Sequence, residues 1–328
     1  MNKERVLSGM QSSGKLHIGN LVGALRNWVR LQDQYDCFYF IADWHSLTTG
    51  YANPSAIKES TKDLLVNYIA AGLDPDKSTI FVQSMVPQHA ELHLLLSMIT
   101  PLGWLERVPT YKEKQEQLKD RDLANYGFLG YPVLQTADII IYRAKHVPVG
   151  IDQIPHLEIS REIARRFNHL YKEVFPEPEG LLTEFPKVPG LDGRKMSKSY
   201  DNAVYLSDPP EIVEQKIRTM MTDPARKKRT DKGDPELSPV YQLHKIFSSK
   251  EELEEVAQGC RTAGIGCIDC KKILIKNLFA YLEPIWEKRN ELINHPDLLF
   301  EIAKKGSEKA GREAEETMQI VREVMGLV

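Results

Sequence analysis

Residues 5–26 read RVLSGMQSSGKLHIGNLVGALR and carry the pattern that decides the fold class. The stretch begins as a strand, passes through a turn of small residues at 11–14, and continues with apolar positions at helical spacing from Leu16 onward. Small residues at such a transition let a ligand approach the backbone, and the free N–H groups of a helix N-terminus suit a phosphate. His17 and Asn20 add side-chain donors beside them. The stretch predicts a phosphate site, and the alternative is an ordinary strand-to-helix crossover.

The stretches that follow alternate between strand and helix patterns. Strands are predicted at 36–42 and 79–83, and helices at 54–72, 89–99, 131–142 and 156–167. Short, continuous apolar runs are typical of strands that are buried on both faces of a parallel sheet. Polar residues follow the strand ends at 43–45 and near Gly150, where an open α/β sheet places its ligands. The sequence therefore predicts an α/β fold with a doubly wound parallel sheet.

One carboxylate lies inside an apolar helix pattern. This residue is Asp138, within YPVLQTADIIIY at 131–142. A buried ionised carboxylate is costly unless donors face it. Two interpretations stay open: Asp138 has a structural partner such as an arginine, or it receives a donor from a ligand.

The pattern changes in the second half of the chain. Residues 176–193 are rich in Pro and Gly, so a mobile loop and a domain border are expected there. Beyond Asp201 only helices are predicted, and they lie at 209–221, 239–247, 251–257, 271–289 and 296–325. We therefore expect a sheet domain at 1–200 and an all-α domain at 201–328.

Composition limits the classes of function. The 328-residue chain has a net charge of −3, so contact with nucleic acid requires a local basic patch. The densest basic cluster is RKKR at 226–229, which either binds RNA or is a solvated loop. No apolar run is long enough to span a membrane and the N-terminus lacks a signal-peptide pattern, so a cytoplasmic protein is expected. Four cysteines then indicate thiols or metal ligands sooner than disulfides.

A second motif indicates the class of protein to which the first motif belongs. Residues 195–199 read KMSKS, with glycines just upstream at 190 and 193. HIGN at 17–20 and KMSKS together resemble the paired motifs of class I aminoacyl-tRNA synthetases. Within that class the chain resembles the tryptophanyl-tRNA synthetases over essentially its whole length, in the stretches SGMQSSGKLHIGNLVGAL, DWHSLTT, YPVLQTADIIIY, VPVGIDQIPHLEISREIARRFN, DGRKMSKS and MMTDPAR.

The resemblance implies a fold, a reaction and partners. The fold would be a Rossmann-like catalytic domain followed by a helical anticodon-binding domain, in a homodimer. Tryptophan would attack the α-phosphate of ATP to give tryptophanyl-adenylate and pyrophosphate, and would then pass to the terminal ribose of tRNA(Trp). Mg²⁺ would be carried by the ATP phosphates and not by a protein cage. Such chemistry needs positioning and charge stabilisation, and no covalent nucleophile.

The resemblance also implies roles for individual residues. The catalytic set would be His17, Lys195 and Lys198, with His17 bonding the phosphates and the lysines closing over pyrophosphate. The residues implied to bind ATP are Gln11, Ser12, Ser13, Gly19, Asn20, Gly150, Ile151, Asp152, Val188, Lys195, Met196, Ser197, Lys198 and Ser199. The residues implied to bind tryptophan are Asp138, Tyr131, Gln135, Gln153 and His45.

The choice of amino acid depends on more than Asp138. Asp138 would accept the indole N–H, which can only donate, but a carboxylate could equally accept a tyrosine hydroxyl. The sequence VPVGIDQ at 147–153 favours tryptophan by resemblance, so a tyrosine–tRNA ligase is the nearest alternative. A synthetase-like RNA-binding protein without activity would not need both motifs. A small-metabolite adenylyltransferase would not need the helical second domain.

Three cysteines in the C-terminal half of the chain are candidate metal ligands. Cys260, Cys267 and Cys270 are spaced C-x6-C-x2-C, which resembles a subset of bacterial relatives with a [4Fe–4S] cluster. The fourth cysteine of that subset precedes a Pro-Val pair, and here Ser238 stands in its place. A hydroxyl is a poor substitute for a thiolate. A cluster and a set of reduced thiols are both open, and the serine favours the thiols.

Overall fold

The computed structural model describes residues 3–109, 111, 123–150, 153–182 and 187–327. The contacts of the chain group into two compact units. Unit 1 comprises Met1–Gly14, Asn27–Thr183 and His295–Val328, and unit 2 comprises Lys15–Arg26 and Glu184–Asn294. These units divide the chain differently from the border expected after residue 200, and the functional domains at 1–200 and 201–328 stay a prediction.

Unit 1 is built on a parallel sheet. Its strands within the described residues are β1 (Arg5–Gln11), β2 (Asp36–Ala42), β3 (Ser78–Val82), β4 (His146–Val149) and β5 (Glu179–Leu182), in the order β3-β2-β1-β4-β5. β1 pairs with β2 from Arg5 opposite Asp36 to Gln11 opposite Ala42, and with β4 through Val6 opposite His146. The chain thus moves outward from β1 on one side and then returns to its other side. The predicted doubly wound parallel sheet is confirmed.

The helices match most of the predicted spans. Within the described residues they are α1 (Ile18–Asn20), α2 (Arg26–Leu31), α3 (Asp43–Gly50), α4 (Pro54–Ala70), α5 (Gln88–Ser97), α6 (Leu102–Leu105), α7 (Tyr126–Leu129), α8 (Tyr131–Ile140), α9 (Ile154–Leu170), α10 (Pro210–Thr219), α11 (Pro239–Phe247), α12 (Lys250–Thr262), α13 (Cys267–Ile293) and α14 (Pro296–Val324). A π-helical turn at Leu21–Leu25 joins α1 to α2. Each helix in the described part of the chain is too short or too polar to cross a lipid bilayer.

The strand β5 corrects the prediction of an unbroken loop at 176–193. Its sequence, EGLL, lacks the β-branched and aromatic residues that mark a strand. It forms because its backbone pairs with β4, from His146 opposite Glu179 to Val149 opposite Leu182. Backbone pairing of this kind leaves no periodic side-chain pattern in so short a segment.

The last helix, α14, packs in unit 1 against the edge strand β3. Its approach is very close, since a Cβ atom on Gly306 would lie 1.8 Å from the carbonyl oxygen of Ile80. Ala310, Ala314 and Met318 on one side of this helix are buried and join the core formed by the sheet. The helix thereby covers an edge whose backbone groups could otherwise pair with another chain.

Candidate functional site

The HIGN segment begins a helix in unit 2. His17 is the N-cap residue of α1, and its Nδ1 accepts the backbone N–H of Asn20 at 3.3 Å. In return the Asn20 Oδ1 accepts the backbone N–H of His17 at 3.2 Å. Because Nδ1 acts as an acceptor, the proton of the neutral ring lies on Nε2. His17 therefore presents an N–H donor whose orientation is fixed by the helix start.

The same histidine is kept neutral. It is only 8% exposed, and burial, with repulsion from Lys198 and Lys195, lowers the pKa of His17 to about 4. A neutral Nε2–H can donate to a phosphate oxygen at neutral pH without first taking up a proton. The lysines that repel the protonated ring are those of the KMSKS motif, so the two motifs lie near one another within unit 2.

Gly19 lies where the two motifs pack against each other. A Cβ atom at this position would lie 2.9 Å from His17 Nδ1 and 3.6 Å from the Met196 Cβ. Met196 is buried, and its N–H donates to the carbonyl oxygen of Val188 at 2.8 Å. Unit 2 thus brings together many of the residues predicted to bind ATP: His17, Gly19, Asn20, Val188, Lys195, Met196 and Lys198. Ser197 and Ser199 lie in the same KMSKS segment, where Ser199 N–H donates to Ser197 Oγ at 3.3 Å.

A second cluster surrounds Asp138 in unit 1. Asp138 lies on α8 and is 1% exposed. Its Oδ2 accepts His45 Nε2–H at 2.8 Å, and its Oδ1 accepts Gln83 Nε2–H at 2.8 Å and His89 Nδ1–H at 2.6 Å. His45 follows β2 and Gln83 follows β3, so the carboxyl ends of two strands converge on one carboxylate.

The hydrogen bonds of Asp138 leave room for one more donor. An ionised carboxylate has about four acceptor positions, and these donors fill both on Oδ1 and one on Oδ2. Among the described residues no further donor reaches Oδ2. Burial alone would raise the pKa of Asp138, but the hydrogen bonds from His45 and His89 lower it to about 2. The carboxylate is therefore ionised and has one position for a ligand donor.

The structure names partners of Asp138 that sequence reasoning missed. An arginine was the expected structural partner, whereas Gln83 and His89 hold the carboxylate together with His45. His89 is fully buried, and its Nε2 accepts the Tyr142 hydroxyl at 2.7 Å. Gln83 could have been found, because it is the polar residue at the end of the apolar run TIFVQ. His89 lies within an apolar helix pattern and gave no such signal.

The other residues predicted to bind tryptophan lie on α8 and just after β4. Tyr131 and Gln135 precede Asp138 on α8 at helical spacing, so the three positions share one side of the helix. Gln153 is exposed, and its N–H donates to the carbonyl oxygen of Gly150 at 2.9 Å, just after β4. Ile151 and Asp152, which were predicted to bind ATP, lie outside the described residues.

The turn after β1 holds the remaining predicted ATP residues. Gln11 ends the strand and Ser13 is exposed. Ser46 donates its hydroxyl proton to the Ala42 carbonyl oxygen at 3.0 Å, so Ser12 Oγ, 3.1 Å away, donates to Ser46 Oγ. The Ser12 hydroxyl proton is therefore used inside the protein. From its side chain, Ser12 could then only accept a hydrogen bond from a nucleotide.

The cysteine pocket does not fit a four-thiolate cluster. Cys260, Cys267 and Cys270 line one small cavity in unit 2 with Ser238 and Arg226. Burial raises the pKa of Cys270 to about 12 and also raises the pKa of Cys260, which favours protonated thiols. Among the described residues no group of histidine, cysteine and acidic side chains is placed to hold a metal ion. With the Ser238 hydroxyl at the fourth position, these residues lack the four thiolates that hold a [4Fe–4S] cluster.

The basic cluster at 226–229 is split between two environments. Arg226 is buried, and its guanidinium donates to the carbonyl oxygens of Arg229 and Ile265. The side chains of Lys227, Lys228 and Arg229 are exposed. Arg226 therefore holds the loop together, and the exposed members of the cluster are the side chains at 227–229.

Comparisons with known proteins agree with this geometry. A family model described as tRNA synthetases class I (W and Y) matches residues 1–283. The chain therefore belongs to the class I tRNA synthetases of the tryptophan and tyrosine group.

Individual relatives show which members of this family the chain is similar to. The chain is 55% identical to the tryptophan–tRNA ligase of Thermotoga maritima, over 99% of each chain. It is 46% identical to the tryptophan–tRNA ligase of Ralstonia nicotianae, over 100% of this chain and 99% of that one. A crystal structure of tryptophanyl-tRNA synthetase from Campylobacter jejuni, complexed with ADP and tryptophan, has a TM-score of 0.89 and 36% identity, covering 98% of this chain and 99% of that chain.

Proposed function

We propose that this protein is a tryptophan–tRNA ligase, which activates tryptophan with ATP and transfers it to tRNA. The observation that carries the proposal is the packing of HIGN against KMSKS in unit 2, where Gly19 lies against both His17 and Met196. The choice of tryptophan is supported by full-length relatives of that name. It is also supported by the open acceptor position on Asp138.

ATP would be held and activated by charge and orientation. His17 donates Nε2–H to a phosphate oxygen while it stays neutral. Lys195 and Lys198 supply positive charge as pyrophosphate leaves, and Mg²⁺ arrives with the phosphates of ATP. These groups are fixed before the reaction begins, so they stabilise the developing charge without a cost of reorganisation.

Tryptophan would be recognised through the last acceptor position of Asp138. The indole N–H is a donor only, and Oδ2 offers an acceptor whose carboxylate is already fixed by His45, Gln83 and His89. A substrate without a donor at that point would leave a buried carboxylate position unpaired, which is the arrangement that discriminates most strongly. Tyr131, Gln135 and Gln153 would hold the amino and carboxylate groups.

The remaining features extend the proposal beyond the site. We propose that residues 201–328 include the surface that reads the anticodon, and that two chains form a homodimer in the cytoplasm. The exposed basic side chains at 227–229 would contribute to tRNA binding.

Tryptophan-dependent exchange of pyrophosphate into ATP tests the proposal. Purified protein should support exchange with tryptophan. Exchange with each of the other nineteen amino acids should be much slower. Exchange driven by tyrosine would establish the alternative ligase, and a lack of exchange with every amino acid would refute the activity.

The roles of the KMSKS lysines can be tested in the same assay. Lys195→Ala and Lys198→Ala should each lower the exchange rate by about 10²–10³-fold, the effect of losing one preorganised group in a transition state, about 2.7–4 kcal/mol. Tryptophan binding, measured by equilibrium dialysis, should stay near that of the wild type. Wild-type exchange in both variants would remove the lysines from the mechanism.

A further inference from the structure

The KMSKS motif lies in a segment, 188–202, that is folded by its own hydrogen bonds. Gly190 N–H donates to the Arg194 carbonyl oxygen at 2.7 Å, and Met196 N–H donates to that of Val188 at 2.8 Å. These bonds form a short antiparallel turn that ends at the first lysine. The second half of the motif forms a separate 3₁₀ turn at Lys198–Tyr200, so the link between the two halves needs another support.

The side chain of Asn202 provides that support. Its Oδ1 accepts the N–H of Ser197 at 2.8 Å, and its Nδ2 donates to the carbonyl oxygen of Lys195 at 3.3 Å. The same Nδ2 donates to Asp192 Oδ1 at 2.7 Å. Asn202 is 3% exposed, so these bonds are protected from water. One amide therefore fixes the peptide groups on both sides of Met196.

Two neighbours determine the orientation of this amide. The Asp192 carboxylate can only accept, so it holds the NH₂ group towards itself and turns Oδ1 towards Ser197. Gly190 allows the close approach, since a Cβ atom there would lie 2.3 Å from Asn202 Cγ. Arg194 Nε donates to the other Asp192 oxygen at 2.7 Å and keeps the carboxylate in place.

We propose that Asn202 is a positioning residue for the activation step: by fixing the backbone on both sides of Met196, it sets the directions in which Lys195 and Lys198 leave the segment. The proposal rests on the proposed function, because the lysine directions matter only if pyrophosphate leaves beside them. Charge stabilisation depends on placement, and a displacement of about 1 Å can cost about a hundredfold in rate. All of these bonds lie within unit 2, whereas Asp138 lies in unit 1.

Variants in which the amide and the carboxylate are swapped between positions 192 and 202 test the proposal. Asn202→Asp keeps the acceptor for Ser197 but places two carboxylates against each other and removes both donated bonds. We expect it to lower kcat for tryptophan-dependent pyrophosphate exchange by about thirtyfold to a hundredfold, with tryptophan binding unchanged. In the double variant, Asp192→Asn with Asn202→Asp, the NH₂ group and the carboxylate exchange places, which restores the contact between the two side chains but not the bond to the Lys195 carbonyl oxygen. We therefore expect kcat to recover in part, to a value between those of Asn202→Asp and the wild type.

Controls separate positioning from a general loss of structure. Asn290→Asp adds the same charge at an exposed position of α13 and should leave kcat unchanged. The proposal is overturned if Asn202→Asp has wild-type kcat, or if the double variant is as slow as Asn202→Asp while it unfolds at the wild-type temperature. It is also overturned if the loss of kcat only follows the fraction of unfolded protein. An inactive wild type would instead refute the proposed function itself.

Discussion

At the scale of single residues, the two clusters show opposite uses of burial. Burial keeps His17 uncharged, so that its Nε2–H is a neutral donor, whereas three hydrogen bonds keep Asp138 charged despite its burial. Both states suit the proposed reaction. In that reaction the neutral histidine would meet an anionic phosphate as a donor, and the ionised aspartate would meet the indole N–H as an acceptor.

The lowered pKa of His17 predicts how stability depends on pH. The pKa is about 4 in the folded protein against an ordinary value of 6.5, so between these values the unfolded state binds more protons. The contribution of His17 to stability should therefore be complete above pH 6.5 and should be lost as pH falls towards 4. Urea unfolding of the wild type and of His17→Gln at several pH values should show a difference that shrinks in this window. An NMR titration of the His17 ring with its midpoint near 6.5 would contradict the account.

Asp138→Asn should impair tryptophan activation more than folding. The asparagine oxygen would occupy the Oδ1 position, where two donors converge, and its NH₂ group would take the Oδ2 position, where His45 can change tautomer and accept. The indole N–H would then meet a donor. A hydrogen bond to a charged group contributes about 1.5–3 kcal/mol, so activation should fall about ten- to over a hundredfold.

An analogue separates this role from a purely structural one. A tryptophan analogue with sulfur in place of the ring N–H should be rejected by the wild type and discriminated much less by Asp138→Asn. Asp33→Asn removes a charge from an exposed position and serves as the control. An unchanged ratio of the two substrates in a folded Asp138→Asn variant would remove Asp138 from the site.

The sequence predicted His45 and Asp138 but not the residues that hold them. Motif resemblance marks positions that contact substrate. Gln83 and His89 bond to Asp138, and His89 also bonds to Tyr142, so their role becomes visible when β3 and α5 are placed beside α8. The burial of Arg226 was hidden for a similar reason, because a run of basic residues does not tell which side chain turns inward.

At the scale of secondary structure elements, the packing of α14 on β3 depends on one glycine. Gly306→Ala would place a methyl group 1.8 Å from the Ile80 carbonyl oxygen, so the helix would have to move away from the sheet. Overpacking of this kind costs about 1–3 kcal/mol or more, and it outweighs the gain in helix propensity of about 0.5–1 kcal/mol. Gly306→Ala should therefore lower the free energy of unfolding.

The same helix offers a matched control. A Cβ atom on Gly311 would meet no neighbouring atom within 4 Å, so Gly311→Ala should stabilise the protein by about 0.5–1 kcal/mol. Chemical unfolding of the two variants should thus give changes of opposite sign. Equal stabilisation by both would show that α14 does not approach β3 as closely as described.

Elements were predictable where side-chain patterns were long and periodic. β2 and α11 begin and end where the sequence placed them, at Asp36–Ala42 and Pro239–Phe247. β5 was not predictable, since four residues without β-branched side chains carry no periodic signal and only pairing with β4 makes them a strand. The π-helical turn at Leu21–Leu25 was likewise hidden, because its apolar positions fit an ordinary helix.

At the scale of the whole molecule, the exposed basic loop should contribute to tRNA binding. Lys227→Ala with Lys228→Ala should weaken tRNA binding and make its dependence on salt shallower, by about one to two in the slope of log K against log salt concentration. Pyrophosphate exchange without tRNA should not change. Lys58→Ala with Lys62→Ala removes two exposed charges from α4 and is the control. An unchanged slope in the loop variant would show that the loop faces solvent in the complex.

The division of the chain into two units could not be predicted from the order of its strands and helices. The sequence predicted strands first and helices later, and that order holds in the described residues. The C-terminal helix nevertheless belongs to unit 1, because its small residues fit the backbone of β3, and the HIGN segment belongs to unit 2 with KMSKS. Long-range packing of this kind is set by shape complementarity between segments far apart in the chain, which no local pattern records.

Aminoacylation of tRNA is the direct test of the proposed ligase activity. Purified protein should be mixed with ATP, Mg²⁺ and transcripts of tRNA(Trp) and tRNA(Tyr), each with radiolabelled tryptophan or tyrosine. The account predicts that label accumulates on tRNA(Trp) with tryptophan alone, and that Lys195→Ala and Lys198→Ala slow this accumulation. Accumulation of tyrosine on tRNA(Tyr), or no acid-precipitable label in any combination, would contradict it.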